Sequence, residues 1–402
     1  MSETEQFIQV RKRRVFYIPG YDPIHPRRYR ELYRKEGAEQ AQISGYQIAL
    51  KPKTTPGLYG WHVQAQIDGA CVDADIEVLV WSDIVRNSMA QGIWATYLQL
   101  LRTAGVYIGS GALWRLMQLR KGPVIAALYP VLFLLLQLVL ALGLAALLGW
   151  GLSWLHPWLA LLGLGVVPPV LYWFRKHDNK FFAYYLMHDY AYSARSQGEN
   201  PPELEARIAT FTAAIRAAMQ TDTDEVLVVG HSSGAHLAVS ILADLIREGL
   251  PTPGPQLNLL TLGQVVPMVS FLPRAWRLRS DLAYLSERSE IAWVDVTAPG
   301  DGCAFALCDP VSVSGVAGTG KRWPLVFSAA FTQTLSPAKW NALKRRFFRL
   351  HFQYLCAFDR PRDYDYFRIT AGPQTLRQRY SRRKASKSRI ERAVSKYVSV
   401  SP

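Results

Sequence analysis

Residues 227–239 read VLVVGHSSGAHLA and place Ser232 between Gly230 and Gly234. The run EVLVVG (225–230) before it is strand-like, and AHLAVSILADLIREG (235–249) after it is helix-like. A serine on so sharp a strand-to-helix turn is held in a strained backbone conformation, so its neighbours two residues away must be small. The turn lifts the hydroxyl above the sheet and aims the following backbone N–H groups at the same point. The positive end of the helix adds to them where charge would develop on an attacked carbonyl oxygen. A serine so placed would suit nucleophilic attack on a carbonyl, provided other residues supply a base and further oxyanion donors.

In this setting the sequence resembles the α/β-hydrolase superfamily, specifically its lipase/esterase-like serine hydrolases. The resemblance implies that Ser232 is the nucleophile and that its partners follow in the order acid, then histidine. Of the eight histidines, only His351, in RRFFRLHFQYL, lies downstream of an acid so placed, and it becomes the expected base. The matching acid is Asp301, in a Pro-Gly-Asp-Gly turn just past the strand-like IAWVDVT, with Asp295 inside that strand as runner-up. Its role would be to hold the imidazole and stabilise the imidazolium. One oxyanion donor is expected from the Ser233 N–H. The other is expected from YIPGYDP, where Tyr21 donates and Gly20 permits close approach. The implied activity is hydrolysis of carboxylic esters through an acyl-enzyme, with no cofactor and no metal. An acyltransferase using the same three residues and a non-catalytic scaffold retaining the fold are the alternatives.

These residues need elements to hold them. RRVFYIPGYDP opens with a short strand, RRYRELYRKEGAEQ has helix-forming composition, and YQIALKP, WHVQAQIDG and ADIEVLVW read as strands. A helical region over 83–119 follows, with helices at 180–197 and in NPPELEARIATFTAAIRAAMQ, and a further strand at LNLLTLG. The alternation predicts an α/β fold, α/β-hydrolase-like, with a mainly parallel sheet flanked by helices.

Between Lys121 and Arg175 there is no Asp, Glu, Lys or Arg. A membrane-spanning helix takes about 20 apolar residues, so the interval predicts a two-helix transmembrane hairpin. Its spans fall near 124–147 and 154–174, joined by GWGLSWLHP. Trp150, Trp154, Trp158, Tyr172 and Trp173 suit an interfacial aromatic belt. Arg115, Arg120 and Lys121 precede the hairpin, Arg175, Lys176 and Lys180 follow it, and the turn carries no cation. The positive-inside rule therefore puts both flanking segments, with both termini, in the cytoplasm. The expected organisation is 13–121 and 175–375 as two parts of one hydrolase domain, 122–174 as the hairpin and 376–402 as a basic tail.

The net charge of +15 is concentrated in that tail, where RQRYSRRKASKSRIERAVSK holds nine Arg/Lys and one Glu. An anionic leaflet accounts for it more economically than nucleic acid once a hairpin is present; a solvated tail is the plainer alternative. Expected partners are membrane lipid and a lipid-like or acyl ester substrate, without nucleic acid. Cys71, Cys303, Cys308 and Cys356 have no zinc-type spacing and read as reduced thiols. His231 and His236 have no nearby Cys or acid in sequence to make a metal site. GVAGTGKR (315–322) lacks the Ser or Thr of a P-loop and meets Pro324 where a helix should run, so it reads as a flexible loop near the active site. The opening MSETEQFIQVRKRR is too polar for a signal peptide.

Overall fold

Long Val/Leu/Ile runs with no polar alternation demand burial on both faces, which a parallel sheet between two helical layers provides. The computed structural model describes residues 9–402, so the first eight residues of the polar opening stretch lie outside the described residues. Its strands are β1 (Lys12–Ile18), β2 (Gln47–Pro52), β3 (Gly60–Ile67), β4 (Ala70–Val78), β5 (Glu225–His231), β6 (Gln256–Leu262), β7 (Ile291–Thr297) and β8 (Leu325–Ser328). They form one sheet in the order β2-β3-β4-β1-β5-β6-β7-β8, with β3 antiparallel to both neighbours and every other pair parallel. Val226 and Val228 of β5 enter one core, Leu227 and Val229 the other. β8 escaped the sequence reading because it is four residues long and follows directly on Pro324.

The chain leaves β1 through α1 (Arg27–Ser44) toward the β2 side, whereas β5 is followed by α10 (Gly234–Arg247) toward the β6 side. The connections diverge at β1 and β5, and in open α/β sheets such a switch point opens a crevice at the carboxyl ends of the strands.

Between β4 and β5 lie α2 (Ser82–Met89), α3 (Ile93–Gly109), α4 (Ala112–Met117), α5 (Lys121–Ser153), α6 (Val167–Lys176), α7 (Asp178–Phe181), α8 (Ala183–Arg195) and α9 (Pro202–Met219). The helical region expected over 83–119 is thus three helices, separated around Gly92 and at Gly111, which takes φ 75°. The hairpin is inserted in this one connection. Helix α5 continues to Ser153, beyond the expected end at 147, and its 33 residues measure about 50 Å. The return arm is a 3₁₀ stretch, Pro157–Val166, followed by α6, rather than one regular helix over 154–174. Pro157, Pro168 and Pro169 cannot donate the N–H bonds that a continuous α-helix requires. The two arms are long and apolar enough to cross a membrane. They meet along small residues: a Cβ on Gly149 would lie 2.6 Å from the Ala160 carbonyl oxygen, and one on Gly163 would strike that of Ala145. Close backbone approach of this kind is how helices associate in lipid.

Residues 376–402 pack along the domain instead of forming a separate segment. The Ser386 N–H donates to Val326 O of β8, Ile390 pairs with Leu307 and Asp309, and Val394 is buried. Farther on, Arg115 donates to Val394 O and Arg279 to Ser399 O. The 315–322 loop hydrogen-bonds to Ser286, just ahead of β7. It therefore sits at the amino end of the sheet, opposite the crevice, which corrects its expected place near the active site.

Candidate active site

Ser232, immediately after β5, has φ 56°, a left-handed backbone seldom adopted by a residue with a side chain. Its N–H is tied to Leu262 O at the end of β6, at 2.9 Å. The flanking glycines have direct steric causes. A Cβ on Gly230 would lie 2.7 Å from Ala235 Cα, and one on Gly234 would collide with the Ile18 carbonyl of β1. Ser232 remains partly exposed, while Ser233, Gly234 and Ala235 are buried.

The loop after β1 approaches from the other side of the switch point. A Cβ on Gly20 would be 2.9 Å from Ser232 Cβ and 3.3 Å from its Oγ. Trp81 donates its indole N–H to Pro19 O at 2.9 Å, and the Tyr185 hydroxyl of α8 donates to Tyr21 O. The Tyr21 hydroxyl meets Ser88 Oγ at 2.5 Å. Among the described residues, the backbone N–H groups of Tyr21 and Ser233 have no hydrogen-bond acceptor.

Asp301 and His351 come together although fifty residues of chain separate them. His351 Nδ1 lies 2.8 Å from Asp301 Oδ2, and both side chains are buried. The same carboxylate accepts the Tyr354 hydroxyl at 3.0 Å, and its Oδ1 accepts the Cys303 N–H at 2.9 Å. Burial pushes the Asp301 carboxyl up, but the His351 charge, its ring N–H and these two donors together bring it below the usual carboxylate range. The acid is therefore ionised at neutral pH and faces Nδ1. The other ring nitrogen, Nε2, is buried and has no hydrogen-bond partner among the described residues, Ser232 Oγ included.

His351 is the last residue of a short helix, Phe347–His351, which follows β8 after two further short helices. Asp295, the runner-up acid, lies inside β7, accepts the Thr261 hydroxyl at 2.6 Å and is driven by burial to about 8. It is a neutral core acid that takes no part in the His351 pair.

Sequence reasoning missed several contributors. His231 Nε2 contacts His351 O at 3.0 Å, and the two rings lie 4.8 Å apart. Burial, then the nearby His351 charge, lowers the His231 pKa to about 3, so it serves as a neutral donor fixing the His351 backbone. From sequence it was weighed only as a metal ligand and set aside for want of a nearby Cys or acid. Tyr354, three residues beyond His351, and Asp189 of α8 carried no signal at all. Asp189 is only partly exposed, and burial raises it to about 7, opposed by the His351 charge. Its charge also bears on Tyr21 and Cys303, which sets it in the same crevice.

Among the described residues, the one group of side chains able to gather round a metal is Asp301, Cys303 and His351, with donor atoms within 4.8 Å of one another. The fit is poor. Asp301 and His351 already satisfy each other, and burial holds the Cys303 thiol well above its ordinary pKa, against the thiolate a metal requires. Comparison with protein-family models, with curated proteins and with solved structures finds no match to this chain.

Proposed function

We propose that this chain is a membrane-anchored serine hydrolase of the α/β-hydrolase type, cleaving carboxylic esters of lipid-like or acyl-chain substrates. The observation that carries the reading is the left-handed Ser232 on the β5–α10 turn beside the buried Asp301–His351 pair. The order Ser232, Asp301, His351 and the two unoccupied N–H groups, one after the serine and one from the loop after β1, agree with that family's arrangement.

In this mechanism Ser232 Oγ attacks the ester carbonyl carbon as its proton passes to His351 Nε2. Asp301 keeps Nδ1 protonated and stabilises the imidazolium. The oxyanion accepts hydrogen bonds from the Ser233 and Tyr21 amides, each worth about 10²–10³-fold in rate. His351 then gives its proton to the departing alkoxide, and the alcohol leaves. Water, deprotonated by His351, attacks the acyl-enzyme and releases the acid. The cations on both flanks of the hairpin and their absence from its turn favour a domain on the cytoplasmic side, where acyl-chain substrates reach it from the bilayer.

The test is labelling by a fluorophosphonate in detergent-solubilised membranes, comparing wild type with Ser232→Ala and His351→Ala. Labelling of wild type alone is the expected result. A folded wild-type protein that takes no label would sink the enzyme readings and leave a scaffold, which the unpartnered His351 Nε2 would then favour.

A further inference from the structure

The segment leading into His351 reads Lys344-Arg345-Arg346-Phe347-Phe348-Arg349. Lys344, Arg345, Arg346 and Arg349 are exposed, and among the described residues none of the four side chains has an ion-pair or hydrogen-bond partner. Phe347 between them is 59 % exposed. Nothing within the described fold engages the four cations or covers the aromatic ring between them, so their position gives the relevant clue.

That position is beside both ends of the apolar hairpin. A Cβ on Gly302 would lie 3.3 Å from the Phe347 ring, and Gly302 itself abuts Gly122 in the first turn of α5, where a Cβ would come within 3.2 Å. On the return side, Phe348 packs on Phe182 with ring centroids 4.7 Å apart. The adjoining Phe181 packs on Phe133 of α5 at 5.0 Å, and its carbonyl accepts the Tyr129 hydroxyl. Exposed Lys121, Lys176 and Lys180 flank the same two ends. The patch thus continues the basic collar of the hairpin.

The same residues lead inward to the serine. Phe348 lies 5.9 Å from Tyr185, Tyr185 lies 6.2 Å from Tyr21, and Gly20 next to Tyr21 packs on Ser232. Gly302 adjoins Asp301. An aromatic path therefore joins the surface patch to the crevice.

We propose that Lys344–Arg349 is the element that seats the catalytic crevice on an anionic leaflet, with Phe347 inserted among the lipids. An ester in that leaflet then passes along Phe348, Phe182 and Tyr185 to Ser232. Cations close to an anionic surface are attracted to it, and an aromatic ring is at home at headgroup depth. The substrate half of this proposal rests on the hydrolase reading above; the seating half rests on the hairpin lying in a membrane. The C-terminal segment also reaches the first arm, where Arg392 donates to Gln118 O and Val394 shares a cluster with Val124, whereas Lys344–Arg349 touches both ends of the hairpin and its cations are unpaired among the described residues.

The experiment is hydrogen exchange on the full-length chain in lipid nanodiscs, either all phosphatidylcholine or with about a third phosphatidylserine. Peptides covering 340–349 should exchange at least about fivefold more slowly in the anionic discs, and 0.5 M salt should abolish the difference. Peptides covering 382–396 should not change. Equal exchange in both discs overturns the proposal, as an acidic protein partner for the patch would predict; protection at 382–396 in place of 340–349 overturns it too. A second readout uses Lys344, Arg345, Arg346 and Arg349 all changed to Gln. That variant should take fluorophosphonate in detergent as fast as wild type, yet cleave a lipid ester in anionic discs at least tenfold more slowly. Exchange protection in a wild type that takes no label retains the seating and removes the hydrolase; labelling without protection does the reverse.

Discussion

Ser232 holds its strained conformation because its surroundings leave no room to relax: Gly20 packs on its side chain from β1, and Leu262 O holds its N–H from β6. Gly20 itself has an ordinary backbone conformation, so alanine is tolerated there in φ and ψ and objectionable only in space. Gly20→Ala should therefore displace the Ser232 hydroxyl and spare the fold. Fluorophosphonate labelling should slow on the order of 100-fold, the cost of a displacement near 1 Å, with the melting temperature almost unchanged. An unaltered labelling rate would mean that the Gly20 contact does not position Ser232.

At the scale of the element, β7 shows what burial on both faces imposes. Every residue of Ile291–Thr297 is buried, so Asp295 within it is held neutral, with a pKa of about 8. The ordinary carboxyl value is near 4, so the folded state binds this proton more tightly than the unfolded state. The resulting stability is complete below about pH 4 and is lost as pH rises to about 8. Asp295→Asn removes that titration. Melting curves of wild type and variant from pH 5 to 9 should diverge, the variant gaining relative stability as pH rises; parallel curves would contradict a neutral Asp295.

For the whole molecule, the C-terminal segment joins parts of the chain that are remote in sequence. It runs along β8, buries Val394 beside Val313 and supplies Arg279 with an acceptor at Ser399. Burying one valine side chain contributes about 2 kcal/mol, so truncation after Ser381 should lower the melting temperature by at least a few degrees. An unchanged melting temperature would mean that the segment adds nothing to the fold. The amino ends of the strands are closed by a buried pair, Arg13 Nε to Glu225 Oε2 at 2.6 Å, which also receives Asn258 and the Leu376 N–H. Four distant stretches meet there, so the apolar hairpin interrupts the chain without interrupting the sheet.

The local sequence determined what depends on spacing and polarity. The elbow followed from Gly230, Ser232 and Gly234 between a strand pattern and a helix pattern, the parallel sheet from continuous apolar runs, and the hairpin from 53 residues without a charge. Asp301 and His351 were reached through chain order and a resemblance, because nothing near either residue announces the other. Only the tertiary structure decided their pairing, the neutral roles of His231 and Asp295, and the place of Asp189 in the crevice. It also decided the packing of the C-terminal segment and the position of Lys344–Arg349 beside the hairpin. Hydrogen-bond partners, burial and electrostatic fields depend on which distant segments meet. A sequence pattern records the period of an element and the shape of a turn, and carries no trace of what will lie across from them.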